Sequence, residues 1–86
     1  MTTKDDLKVW ILEALHRFGG KAWLIDVAEF VWDNHEAELK QNRNLFFRWQ
    51  YVMRWAATEL RKEGLMKDNK RTEPWELTSK GQDKFQ

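Results

Sequence analysis

Residues 45–78 read LFFRWQYVMRWAATELRKEGLMKDNKRTEPWELT, and this stretch decides the fold. At 100° per residue, Trp49, Met53, Ala56 and Leu60 fall on one stripe flanked by Val52 and Phe46, which predicts an amphipathic helix over residues 45–63. The opposite stripe carries Phe47, Tyr51, Arg54 and Thr58, with Arg61 and Lys62 further along. Gly64 closes the helix, because glycine enters the left-handed region at little cost. Residues 65–67 then read as a strand, 68–72 as a turn and 74–78 as the returning strand. Leu65, Trp75 and Leu77 supply the inward side of this hairpin at the period of two that a half-buried ribbon needs. Pro74 lacks an N–H and so suits the start of an edge strand.

Upstream, Leu7, Trp10, Ile11, Ala14, Leu15 and Phe18 recur at steps of three and four, the spacing of one buried helix face over residues 5–18. Thr3 is placed to cap that helix, and Asp5 and Asp6 sit at the positive end of its dipole. Gly19-Gly20 ends it. Lys21-Ala22-Trp23 is one brief strand, and a second helix follows over residues 24–34 with Val27, Ala28, Val31 and Phe30 inward. The polar stretch 35–44 is expected to continue as a frayed helix and then a loop, and residues 79–86 form a polar tail with room for a final helical turn.

An 86-residue chain has room for one core. With 42% hydrophobic residues, six Trp and five Phe, that core closes without cross-links, since aromatic side chains bury the most area each. There is no Cys, which excludes disulfide scaffolds and thiolate metal sites and suits a reducing, cytoplasmic setting. Neither an apolar run of membrane-spanning length nor a signal-peptide core is present, so no membrane association is expected. The net charge of +1 hides a separation. Residues 26–38 hold five acids and no Lys or Arg, whereas residues 43–72 hold eight bases against three acids. Such a separation predicts one electropositive face on a near-neutral protein, the alternative being a set of ordinary solvated helix faces.

The order of helix, short strand, helix, helix and hairpin gives a mainly α (α+β) fold, a winged helix-turn-helix of three helices plus a two-stranded β-hairpin wing. In that layout the third helix enters a major groove about 12 Å wide and the wing meets the backbone beside it. Three pieces of the chain also resemble the N-terminal winged-helix domain of Mrr-type restriction proteins. They are Gly19-Gly20-Lys21-Ala22 after Leu12-Glu13-Ala14-Leu15, then Arg48 with Met53-Arg54-Trp55-Ala56 running into Leu60-Arg61-Lys62-Glu63-Gly64-Leu65, and finally Trp75-Glu76-Leu77-Thr78-Ser79-Lys80-Gly81. The resemblance implies a DNA-binding module in restriction, defence or transcription regulation. In the longer relatives it is joined to a nuclease domain. This chain ends where that domain would begin, so a stand-alone form is expected in which binding alone carries over.

Candidates for catalysis are weak. Ser79 is the single serine and has no His in its segment. His16 and His35 are the only histidines, and pairing them with Glu36 or Glu38 into a zinc site is far less favoured than two unrelated histidines. Glu38-Leu39-Lys40 has the Glu-x-Lys spacing of many nucleases but lies in a helical or loop setting, not on a strand. No glycine-rich phosphate loop is present. The expectation is a protein that is not an enzyme and has no metal or cofactor.

The basic set divides by role. Arg48, Tyr51, Arg54 and Thr58 lie on or beside the outer stripe of the third helix, where Arg can make bidentate contacts to guanine. Arg43 and Asn44, preceding that helix, are placed for phosphates, and Lys67, Lys70 and Arg71 put the hairpin tip against the backbone. Arg61 and Lys62 are equally well explained as cations favoured by a helix C-terminus. Trp10, Trp49 and Trp75 fall on inward faces, and spacing leaves Trp23 and Trp32 open. Phe47, Tyr51 and Trp55 fall toward the outer side of the third helix and support the alternative of a protein-interaction or homodimerisation module, although the resemblance implies a semi-buried packing role for Trp55.

Overall fold

The structure, a computed structural model, describes residues 3–70 and 72–84. Its core is a hub of three helices. α1 spans Lys4–Arg17, with Leu7, Ile11, Ala14 and Leu15 fully buried and Trp10 and Leu12 nearly so. The Asp6 carboxylate accepts the Thr3 N–H at 2.9 Å and so satisfies a donor that the helix leaves unpaired at its start. Past its end, Gly19 and Gly20 take φ of 84° and 103°, and Gly20 N–H returns to the Leu15 carbonyl at 2.7 Å. Phe18 does not continue the buried face. It sits at the helix cap, half exposed, with its ring edge-on to Phe30 at 6.2 Å, because the chain has already left the helix there.

After β1 (Lys21–Ala22), α2 spans Leu24–Gln41, well beyond the expected end at residue 34. Its backbone kinks at His35, where φ is −131° and ψ 19°. Partners distant in sequence hold this extension. The His35 ring stacks on Trp10 at 4.0 Å, its Nε2 lies 2.9 Å from Glu13 Oε1 and its Nδ1 lies 2.9 Å from Glu38 Oε1. Beyond the kink Leu39 is fully buried. The expected loop before the third helix therefore shrinks to Asn42, whose side chain accepts the Leu45 N–H at 3.2 Å and caps α3 (Arg43–Lys62). Arg43 and Asn44 lie inside the first turn of α3 rather than ahead of it.

α3 packs on both other helices through Leu45, Trp49, Met53, Ala56, Ala57 and Leu60. A Lys8–Glu63 ion pair of 2.7 Å joins α1 to its C-terminal end. That hydrogen bond raises the Lys8 ammonium above the ordinary lysine pKa. Gly64, at φ 78°, turns the chain as its sequence position requires, and Leu65 N–H closes onto the Leu60 carbonyl at 2.9 Å.

The expected hairpin is built differently. The two-stranded antiparallel sheet pairs β1 with β2 (Trp75–Glu76), in the register Lys21 with Glu76 and Ala22 with Trp75. Residues 65–67 form no full strand. They contribute an isolated bridge from Met66 to Leu77, with Lys67 N–H donating to the Glu76 carbonyl and Thr78 N–H to the Leu65 carbonyl. β2 is thus the middle element and not an edge, and Pro74 stands just before its paired residues. Within the polar tail the helical turn is formed: α4 (Ser79–Asp83) is a short helix capped by the Thr78 hydroxyl, which accepts the Gly81 N–H at 3.1 Å. Among the described residues the architecture is mainly helical, with four helices and a minimal antiparallel sheet.

Candidate functional site

The outer stripe of α3 faces solvent as the spacing requires. Phe47 and Tyr51 are 72% and 69% exposed, and Arg54 and Thr58 are exposed beside them. Asn69, Lys70 and Glu73, which follow Met66 in the chain, lie next to this stripe. Between the two lies a hollow of about 460 Å³ lined by Trp23, Leu24, Arg54, Thr58, Arg61, Asn69, Lys70, Glu73 and Trp75. Arg54, Thr58 and Arg61, at steps of four and three along α3, are brought to one place with Lys70 from the following loop. The Thr58 hydroxyl donates back to the Arg54 carbonyl at 3.1 Å, leaving its oxygen free to accept.

Arg61 is a member that helix-end chemistry alone does not explain. Its guanidinium lies over the Trp75 ring, 5.6 Å from the centroid, and its buried Nε finds no hydrogen-bond partner among the described residues. The aromatic face thus fixes the guanidinium at the wall of the hollow, with one buried donor left unsatisfied. Glu73 is the acid in the hollow. Its carboxylate already accepts the Lys70 backbone N–H at 2.7 Å, and Asn69 Nδ2 donates to the Glu73 carbonyl at 3.0 Å, which shapes the loop around Lys70. Among the described residues Arg43, Arg48, Arg54, Arg61 and Lys70 form no ion pair.

A second concavity, an open groove of about 610 Å³, shares the Trp23, Leu24 and Arg54 wall with the first. Its remaining lining is Ile25, Ala28, Gln50, Tyr51 and Met53, an apolar floor with one amide and one guanidinium at its rim. Trp23 is 51% and Ile25 68% exposed, so the opening of α2 presents large apolar side chains opposite Tyr51. Trp23 immediately precedes α2, where helical phase assigns no face, and spacing could not place it.

The other candidates fall around this centre. Asn44, Arg48 and Tyr51 line a neighbouring depression with Lys4 and Trp55, and the Arg48 guanidinium lies 5.7 Å from the Tyr51 ring centroid. Trp55 is half-buried under the Lys4 ammonium at 4.8 Å, and so packs rather than projects. Trp32, half-buried, stacks on Trp49 at 6.0 Å. Arg43 is exposed at the start of α3. Lys67 does not join the cationic hollow. It is bound to Glu76 at 3.0 Å and lines a separate shallow cavity with Lys21 and Asp68. Lys62 is likewise engaged, by Glu59 at 3.3 Å. Arg71 lies outside the described residues.

Among the described residues no cluster of three His, Asp or Glu could hold a metal ion, and no helix is long and apolar enough to cross a membrane. The Glu38-Leu39-Lys40 tripeptide lies within α2, with Leu39 buried and Glu38 occupied by His35. Comparison of the chain with family models, with curated proteins and with solved structures found no match.

Proposed function

We propose that this chain is a non-catalytic winged helix-turn-helix module of the cytoplasm that binds double-stranded DNA, with α3 entering the major groove and the 65–78 segment lying along the adjacent backbone. The element order supports this, with β2 running between β1 and the Met66 bridge behind an exposed third helix. The observation that carries the proposal is the gathering of Arg54, Arg61 and Lys70, none of them ion-paired, at one solvent-facing hollow between α3 and the following loop. Three cations without ion-pair partners, against the single acid Glu73, whose carboxylate accepts the Lys70 backbone N–H, match a polyanion by charge. The likeness to the N-terminal domain of Mrr-type restriction proteins carries over to binding only.

Titration of labelled duplex DNA at several salt concentrations tests this, with the wild type and an Arg48→Ala/Arg54→Ala double variant. Affinity should fall with salt and fall again in the variant. Binding insensitive to both refutes the proposal. The exposure of Phe47 and Tyr51 favours one competing reading, a homodimer or protein-partner surface on the same helix face. Sedimentation discriminates: a monomer at all concentrations removes the homodimer.

A further inference from the structure

The outer face of α3 is poorly matched to base edges alone. Direct readout in the major groove uses polar side chains, and apolar contact there is limited to the thymine methyl. Yet the groove beside Arg54 is lined by the aromatic side chains of Trp23 and Tyr51 together with Leu24, Ala28 and Met53. Planar aromatic side chains fit the face of a base, and that face is accessible only when the base has left its stack. The cationic hollow adjoins this groove through the shared Trp23, Leu24 and Arg54. A nucleotide has the same two parts at the same adjacency: an anionic phosphate and a flat apolar base.

We infer that the paired concavities receive one unstacked nucleotide of a DNA strand, its phosphate against Arg54, Arg61 and Lys70 and its base in the groove between Trp23 and Tyr51. The inference rests on the DNA-binding reading and narrows its substrate to duplexes that present an extrahelical base. Gln50, at the groove rim, supplies one donor and one acceptor to the base edge, and Arg54 bridges the two halves of the site. Charge complementarity selects the occupant. Arg54 joins the groove directly to the cationic hollow, a liability for a purely apolar partner and an asset for a phosphodiester.

The experiment compares three labelled duplexes of one sequence by fluorescence anisotropy: fully paired, with a single bulged nucleotide, and with an abasic bulge at the same position. The abasic duplex has the same flexibility without the base. Wild type should bind the base bulge about tenfold more tightly than the abasic bulge, the scale of one base–aromatic stack. In Trp23→Ala and in Tyr51→Ala that ratio should fall, in the double alanine variant it should reach about one, and in Trp23→Phe it should be retained, because phenylalanine keeps a stacking face. Both side chains are more than half exposed, so the variants keep the core, which circular dichroism melting checks. Equal affinity for base and abasic bulges, or a preference that survives both alanine variants, overturns the inference. Tight salt-dependent binding to the fully paired duplex with no preference for the bulge overturns it while sparing DNA binding, whereas failure to bind any duplex overturns both. A concentration-dependent dimer that Tyr51→Ala abolishes and DNA does not disrupt assigns the groove to a second copy and also overturns it.

Discussion

Replacing Gly81 by alanine sets a helix-propensity gain against a steric clash, and the structure decides the sign. A Cβ at position 81 would overlap the Leu65 carbonyl oxygen, with the Leu65 carbonyl carbon at 3.1 Å and Leu77 Cδ2 at 3.2 Å. The carbonyl cannot step aside freely, because it accepts the Thr78 N–H at 3.1 Å and so joins residue 65 to the returning chain. Either α4 lifts away or that hydrogen bond opens. Overpacking of this kind costs about 1–3 kcal/mol, and a compromised hydrogen bond about 1 kcal/mol more. Alanine recovers at most about 1 kcal/mol over glycine in a helix interior, and less in a helix of five residues. A net loss of about 2 kcal/mol follows, which lowers the melting temperature by about 8–16 °C for a domain of this size. Urea unfolding followed by tryptophan fluorescence should show an earlier midpoint at unchanged slope. A midpoint equal to or above that of wild type would refute the close approach of α4 to Leu65.

Two further outcomes are expected. If Arg48, Arg54, Arg61 and Lys70 each neutralise one phosphate, the logarithm of the duplex-binding constant falls against the logarithm of salt with a slope of about −3.6, and Lys70→Ala reduces its magnitude by about 0.9; a slope near zero in the wild type would remove the electrostatic basis of the site. The Lys8–Glu63 pair predicts an alkaline signature. The Lys8 pKa is raised in the folded state by the Glu63 hydrogen bond, so its contribution is complete below the unfolded lysine value of about 10.4 and is lost as pH rises through the higher folded value. Lys8→Met should therefore be less stable than wild type at pH 8, with the gap narrowing above about pH 10.4 in denaturant titrations; a gap that is constant with pH contradicts it.

Local chemistry announced those parts of the fold that local chemistry controls. The glycine stops at residues 19–20 and 64 turn the chain with positive φ, and the three- and four-step spacing of Leu7, Ile11 and Leu15, like that of Trp49, Met53 and Leu60, marks buried faces. Features settled by tertiary partners stayed hidden. α2 runs on to Gln41 because His35 finds Trp10 and Glu13 on another helix, and no spacing within residues 35–44 reports that. The sheet pairs β2 with residues 21–22, far away in sequence, because residues 65–66 are both buried at the end of α3 and give only one bridge. At the site, Arg54, Thr58 and Lys70 were legible as basic or polar positions on a helix stripe and a turn. Arg61 was ambiguous because a helix-end cation and a site cation have the same sequence signature, and its contact with Trp75, on an element 14 residues away, could not be read from that signature.

The concavities along α3 also have a direction, and that direction is open to test. The cationic hollow meets the apolar groove at Trp23, Leu24 and Arg54, and the groove shares Ile25, Ala28 and Gln50 with a shallow depression that holds Glu29 and Trp32. Cations thus mark one end of the series and an exposed acid the other. If the chain binds DNA as proposed, a backbone following Arg54 and Lys70 would be repelled where Glu29 stands. Glu29→Lys replaces that repulsion with attraction and gives the backbone a second point of contact. Duplex affinity should rise at low salt, with a slope steeper by about 0.9 for the added phosphate. The advantage should vanish near 1 M salt, where the screening length shrinks to about 3 Å. Were Glu29→Lys to bind no better than wild type at low salt, the bound DNA would have to lie away from the groove, and the assignment of Trp23, Tyr51 and Arg54 to the interface would fail with it.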